Sequence, residues 1–129
     1  MPSGLPAVTG DVLTATNYNS LVAFTVGAAQ TADYTAVLAD AYQVLEVMNK
    51  ATAIAFKIPT DASVAFPVGT ALTVLNIGVG VCTISAVTPG TTTVLSAGAV
   101  AASPTLAQYK TAVCIKTGAN AWYVVGGIA

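Results

Sequence analysis

The chain has no histidine and no arginine, and charged residues make up only 7% of its 129 positions. Each shortage excludes something. Without histidine, the usual general base of serine- or cysteine-dependent hydrolysis is missing, and the serines and lysines form no known Ser–Lys signature. Lys50, Lys57, Lys110 and Lys116 are the only basic side chains and are scattered. They cannot neutralise a run of phosphates or an anionic membrane surface, so no nucleic acid and no membrane is expected as a partner. Two cysteines without histidine cannot make a four-ligand zinc site alone. The acids follow no calcium-loop spacing, so no metal and no cofactor is expected.

A long apolar helix is missing as well. Residues 62–109 carry no charge, but Thr73, Asn76, Gly78, Gly80, Thr83 and Ser85 interrupt the most apolar part of that stretch. A membrane-spanning helix needs about 20 predominantly apolar residues in a row. Met1-Pro2-Ser3-Gly4-Leu5 has neither the basic start nor the continuous apolar core of an export signal. The expectation is therefore assembly in the cytoplasm, with Cys82 and Cys114 as buried, reduced thiols.

What the chain does have is apolar surface to place: 55% of its residues are hydrophobic. An ordinary soluble domain carries about 25% charged residues. Four lysines and five acids cannot cover a domain of this length. Either Thr, Ser, Gly and Ala form much of the outside, or much of the outside meets another protein. The second alternative predicts a homo-oligomer or a part of a larger assembly.

Residues 1–24 are punctuated by Pro2, Gly4, Pro6 and Gly10 and read as an extended arm. Such an arm gains order by lying on something else. Its apolar side chains Leu5, Val8, Val12, Leu13, Tyr18 and Leu21 are candidate assembly contacts. Residues 25–129 read as a single β domain of eight or nine short strands. Ile54, Phe56 and Ile58 alternate with Ala53, Ala55 and Lys57, the period of a strand with one face buried. Pro59 ends that run, Pro67-Val68-Gly69 and Pro89-Gly90 mark turns, and Gly78-Val79-Gly80 reads as a hairpin connection into a strand over 81–87. No window shows a long 3.6-residue stripe, and no repeat of fixed period is visible. The expected fold is all-β: an antiparallel β-sandwich or a jelly-roll-like barrel behind an extended N-terminal arm.

The remaining motifs have structural readings. A glycine loop that binds phosphate must open a helix, whereas Gly78-Val79-Gly80 opens the run Val81-Cys82-Thr83-Ile84. Paired carboxylates would be needed for glycosidase chemistry. Of the acids, Asp11 lies in the arm, Asp33 and Asp61 fall at turns, and Asp40 is placed to cap a turn. Glu46 sits within an apolar run and is expected to pair with Lys57 or Lys50 across a sheet. No catalytic residue is assigned, and no enzyme activity is expected. Trp122 reads as a core or interface anchor ahead of a ligand platform and joins the candidate assembly contacts.

The run from Asp33 to Gly127 resembles a β-rich domain of tailed-phage virion proteins. The resemblance is carried by Tyr34-Thr35-Ala36-Val37-Leu38-Ala39-Asp40-Ala41, Glu46-Val47-Met48-Asn49 and Lys57-Ile58-Pro59. It is strongest at Val64-Ala65-Phe66-Pro67-Val68-Gly69-Thr70. It continues through Tyr109-Lys110-Thr111-Ala112 and Asn120-Ala121-Trp122-Tyr123-Val124-Val125-Gly126. Gly10-Asp11-Val12-Leu13-Thr14-Ala15 is similar to the attachment-proximal start of phage appendage proteins. Family members often have a Gly-Lys-like turn where this chain has Tyr42-Gln43. The resemblance implies a structural role in a virion, often as a trimer. One small domain without a shaft, behind a short apolar arm, fits a capsid cement (decoration) protein bound to the major capsid protein. The alternative is a tail-fibre or head-fibre tip or adaptor that binds a host-surface glycan or another tail protein.

Overall fold

A computed structural model describes residue 15 and residues 23–96 and 103–128. Among the described residues there are ten strands: β1 Thr25–Val26, β2 Tyr34–Thr35, β3 Val44–Met48, β4 Ile54–Ile58, β5 Ala71–Asn76, β6 Cys82–Ala86, β7 Thr93–Ser96, β8 Thr105–Leu106, β9 Lys110–Gly118 and β10 Ala121–Gly126. A 3-10 turn spans Leu38–Ala41. No helix among the described residues is long and apolar enough to cross a membrane. The protein is all-β, as the strand-like runs predict. It forms a six-stranded sheet in the order β1-β3-β5-β9-β10-β7 and a four-stranded sheet in the order β2-β4-β6-β8.

The expectation of antiparallel pairing is corrected. Five of the eight strand pairings are parallel. From β1 to β6 the chain alternates between the two sheets, and each strand lies parallel to the one two places earlier. Parallel neighbours need a crossover, and here each crossover is itself a strand of the other sheet. The chain thus winds as a coil. Its turns differ in length: Thr25 stands beside Val44 and Tyr34 beside Phe56, 19 and 22 residues on, whereas Leu45 stands beside Thr73 and Ile54 beside Cys82, each 28 residues on. Unequal turns leave no fixed period in the sequence.

The Gly78–Gly80 segment is likewise no hairpin, because it carries the chain from β5 in one sheet to β6 in the other. A Cβ added at Gly80 would overlap the Thr52 carbonyl, and one at Gly78 would overlap the Lys50 backbone. The glycines let this crossover lie directly on the 50–52 turn of the previous coil. The Gly78 and Gly80 N–H groups donate to Met48 O and Lys50 O at 3.3 and 2.9 Å.

Both sheets turn one face to a shared core. Met48, Leu72, Val74, Ala112, Cys114, Trp122 and Val124 come from the six-stranded sheet, and Ile54, Phe56, Ile58, Cys82, Ile84 and Leu106 from the four-stranded one. The predicted alternation in β4 holds: Ile54, Phe56 and Ile58 are buried, and Ala55 and Lys57 are not. Burying each large apolar side chain contributes about 1.5–3 kcal/mol, which is what holds two sheets with so few ion pairs together.

Candidate assembly surface

Residues that alternate with the core positions of the six-stranded sheet face away from it, and strand register arranges them in rows. One row runs Val26–Leu45–Thr73–Val113–Val125 across β1, β3, β5, β9 and β10. Beside it runs Leu95–Tyr123–Ile115–Ala71 across β7, β10, β9 and β5, and on the other side Val47–Leu75–Thr111. None of these side chains is charged. Val26, Tyr123 and Val125 are 68%, 46% and 45% exposed. Leu45, Leu75, Leu95, Val113 and Ile115 are half-buried, and Val47 is buried.

The outward face of the four-stranded sheet has different chemistry. Its rows are Thr35–Lys57–Ser85 and Ala55–Thr83–Thr105. Lys57 lies 3.8 Å from Asp33 in an ion pair open to water. Hydroxyls and a charge suit a solvated face. The six-stranded sheet instead has apolar side chains on both faces of β9 and β10, the pattern of strands covered on both sides.

Of the candidate contacts named from the sequence, Leu5, Val8, Val12, Leu13, Tyr18 and Leu21 lie outside the described residues. Trp122 takes the core place of its two readings, core or interface anchor, and is no surface contact of the described residues. It is 1% exposed, in the core, with its ring edge-on to Phe66 at 5.5 Å, because the alternation of β10 turns Trp122 and Val124 inward and Tyr123 and Val125 outward. Sequence reasoning missed Tyr123 and Val125. The available signal was the unbroken apolar runs Ala121–Val125 and Ala112–Ile115, too hydrophobic for a strand with one wet face.

The acids are all engaged among the described residues. Asp61 accepts from Lys116 Nζ at 2.8 Å and from the Asn120 N–H at 3.0 Å, and its own N–H donates to Asn120 Oδ1 at 2.8 Å. Lys116, buried at an inward position of β9, also donates to Phe66 O at 2.6 Å. The lysine ammonium beside Asp61 holds its carboxyl below the usual carboxylate range. Asp40 caps the 3-10 turn as predicted, its carboxylate accepting the Val37 N–H at 2.9 Å and the Tyr34 hydroxyl at 2.7 Å.

Glu46 does not pair with Lys57 or Lys50. It occupies an inward position of β3 and meets Asp40 instead, and the two are 3% and 5% exposed. Burial, then the hydrogen bond to Asp40 and its charge, push the Glu46 carboxyl up to about 8. Tyr34 is raised by its own burial first and then by the same carboxylates. Two coupled carboxyls suit acid–base chemistry, but these are closed off from solvent. Cys82 and Cys114 are buried and unpaired, and burial raises them to about 11 and about 12, which keeps both as neutral thiols.

In comparison with known proteins, no family model, no curated protein and no solved structure matches the chain.

Proposed function

We propose that the chain is a non-catalytic structural protein of a bacteriophage virion, a capsid cement protein that acts as a trimer and stabilises the shell of major capsid protein. On this reading its body is a β-sandwich, and it is assembled in the host cytoplasm. The observation that carries the proposal is the uncharged outward face of the six-stranded sheet, where a row of five strands presents Val26, Leu45, Thr73, Val113 and Val125. A face of that kind fits burial against neighbouring subunits, and the sequence resemblance to virion proteins supplies the setting. Electron cryomicroscopy of the particle that carries the chain tests the proposal. Density on the outer shell between capsid subunits is expected; density confined to the tail would overturn it.

One observation favours the alternative of a fibre tip or adaptor. Tyr109 is 75% exposed on a left-handed residue (φ 64°) just before β9, a position from which a ring can stack on a sugar. Glycan-array binding that disappears in Tyr109→Ala would support this reading against the first.

A further inference from the structure

We infer that the outward face of the six-stranded sheet is a homotypic interface, covered in the assembled protein by the same face of other copies of this chain turned toward a common symmetry axis. The inference rests on the assembly reading above and adds the partner: this face meets its own kind, which leaves the rest of the molecule for the shell.

Charge is the first argument. An isologous interface brings a patch against its own copy, and side chains beside a rotation axis meet their own copies there, so a charge at either place meets its like unless the pattern is self-complementary. The outward rows of this sheet carry no charged side chain and meet that condition without further matching. By contrast, the four-stranded sheet places Lys57 in the middle of its outward row.

Area is the second. Six strands at about 4.8 Å spacing and about five residues of about 3.3 Å each give a patch of about 500 Å² in projection, and side-chain relief adds to it. A standard interface takes about 800 Å² from each partner, so the whole face is needed and little of it is left over. The composition is the third. The centre of the patch is uncharged, with Leu45 and Val113 on either side of Thr73, and Tyr123 stands beside Leu95 and Ile115. Aromatic residues are enriched and charged residues depleted at the buried centre of such interfaces.

The test is sedimentation of the purified full-length chain, with binding to shells that lack it measured in parallel. The wild type is expected to sediment as a stable oligomer. Tyr123→Lys and Val125→Glu should each raise the dissociation constant by about 100-fold or more, since each buries an unpaired charge. Thr83→Lys, on the outward face of the other sheet, should leave it unchanged. Circular dichroism verifies that each variant is folded. Independently of those variants, Tyr123→Cys should form interchain disulfides under mild oxidation, because Cys82 and Cys114 are buried. Oligomers that survive both charge substitutions, with no cross-link through Tyr123→Cys, would overturn the inference. A monomer that binds shells through this face would overturn it while leaving the assembly reading standing. A monomer that binds no shell would remove both.

Discussion

Asp40 and Glu46 meet carboxyl to carboxyl inside the protein, one from the 3-10 turn and the other from β3, with the Tyr34 hydroxyl donating to Asp40 Oδ2 at 2.7 Å. Burial first, then the hydrogen bond to Asp40 and its charge, favour the protonated form of Glu46. Asp40 thereby links β2, the turn and β3 in the first coil of the chain.

The pair makes stability depend on pH. Glu46 ionises near 4.5 when exposed and near 8 in the fold. The folded state therefore binds more protons than the unfolded state between those values, and its stability must fall as pH rises through that window. Below about 4.5 the contribution is fully present, and above about 8 it is lost. Melting temperatures followed by circular dichroism from pH 5 to 9 should decline in the wild type. Glu46→Gln, which keeps a donor for Asp40 without an ionisable proton, should flatten the decline. An equal slope in both would show that another group controls it.

The Lys116–Asp61 pair has the opposite sign. Asp61 is lowered in the fold by the Lys116 ammonium, so its contribution is present above its ordinary 3.8 and is lost as pH falls. Asp61→Asn leaves the Lys116 charge buried with only Phe66 O as a strong partner, at a cost of about 3 kcal/mol. Lys116→Met with Asp61→Asn should cost less than the two single changes added together. Urea midpoints of the three variants check this.

Gly80→Ala and Gly90→Ala should separate cleanly. A Cβ at Gly80 meets the Thr52 backbone, whereas nothing lies within 4 Å of one at Gly90. The first should destabilise by more than about 2 kcal/mol, since the crossover must lift off the turn beneath it. The second should be neutral or stabilise by about 0.4–1 kcal/mol through the unfolded chain. Equal melting temperatures would show that the crossover yields without cost.

Asn76 brackets three parts of the fold. It is fully buried, its amide donates to Gly80 O at 2.9 Å and Leu106 O at 2.8 Å, and its Oδ1 accepts the Gly78 N–H at 3.0 Å. Asn76→Leu is close in size but takes a donor from the Gly80 and Leu106 carbonyls and leaves the Gly78 N–H only Met48 O at 3.3 Å, at about 1–3 kcal/mol for each group left without a partner or water. Hydrogen exchange of the Gly78 amide should rise along with a lowered melting temperature.

Much of the strand content was legible because period-two alternation is a local property: Ile54, Phe56 and Ile58 declare an inward face whatever lies beneath them. The turns at Pro67-Val68-Gly69 and Pro89-Gly90 declare themselves for the same reason, since they depend on the torsions of a few residues. Glu46 was not legible. Its neighbours in sequence are apolar, and nothing local says that residue 40 comes round to meet it.

Composition and short-range pattern alone determined that this chain forms strands and carries little charge. Which strands pair, and in which direction, was decided in three dimensions. Gly78-Val79-Gly80 has the residues of a hairpin, but Lys50 and Thr52 of the preceding coil lie where only glycines admit close approach, and the chain crosses to the other sheet instead. With β6 in the other sheet, β5 lies between β3 and β9, which lines up Leu45, Thr73 and Val113 on the uncharged face. The residues of that row are far apart in sequence, so only their register makes them a surface.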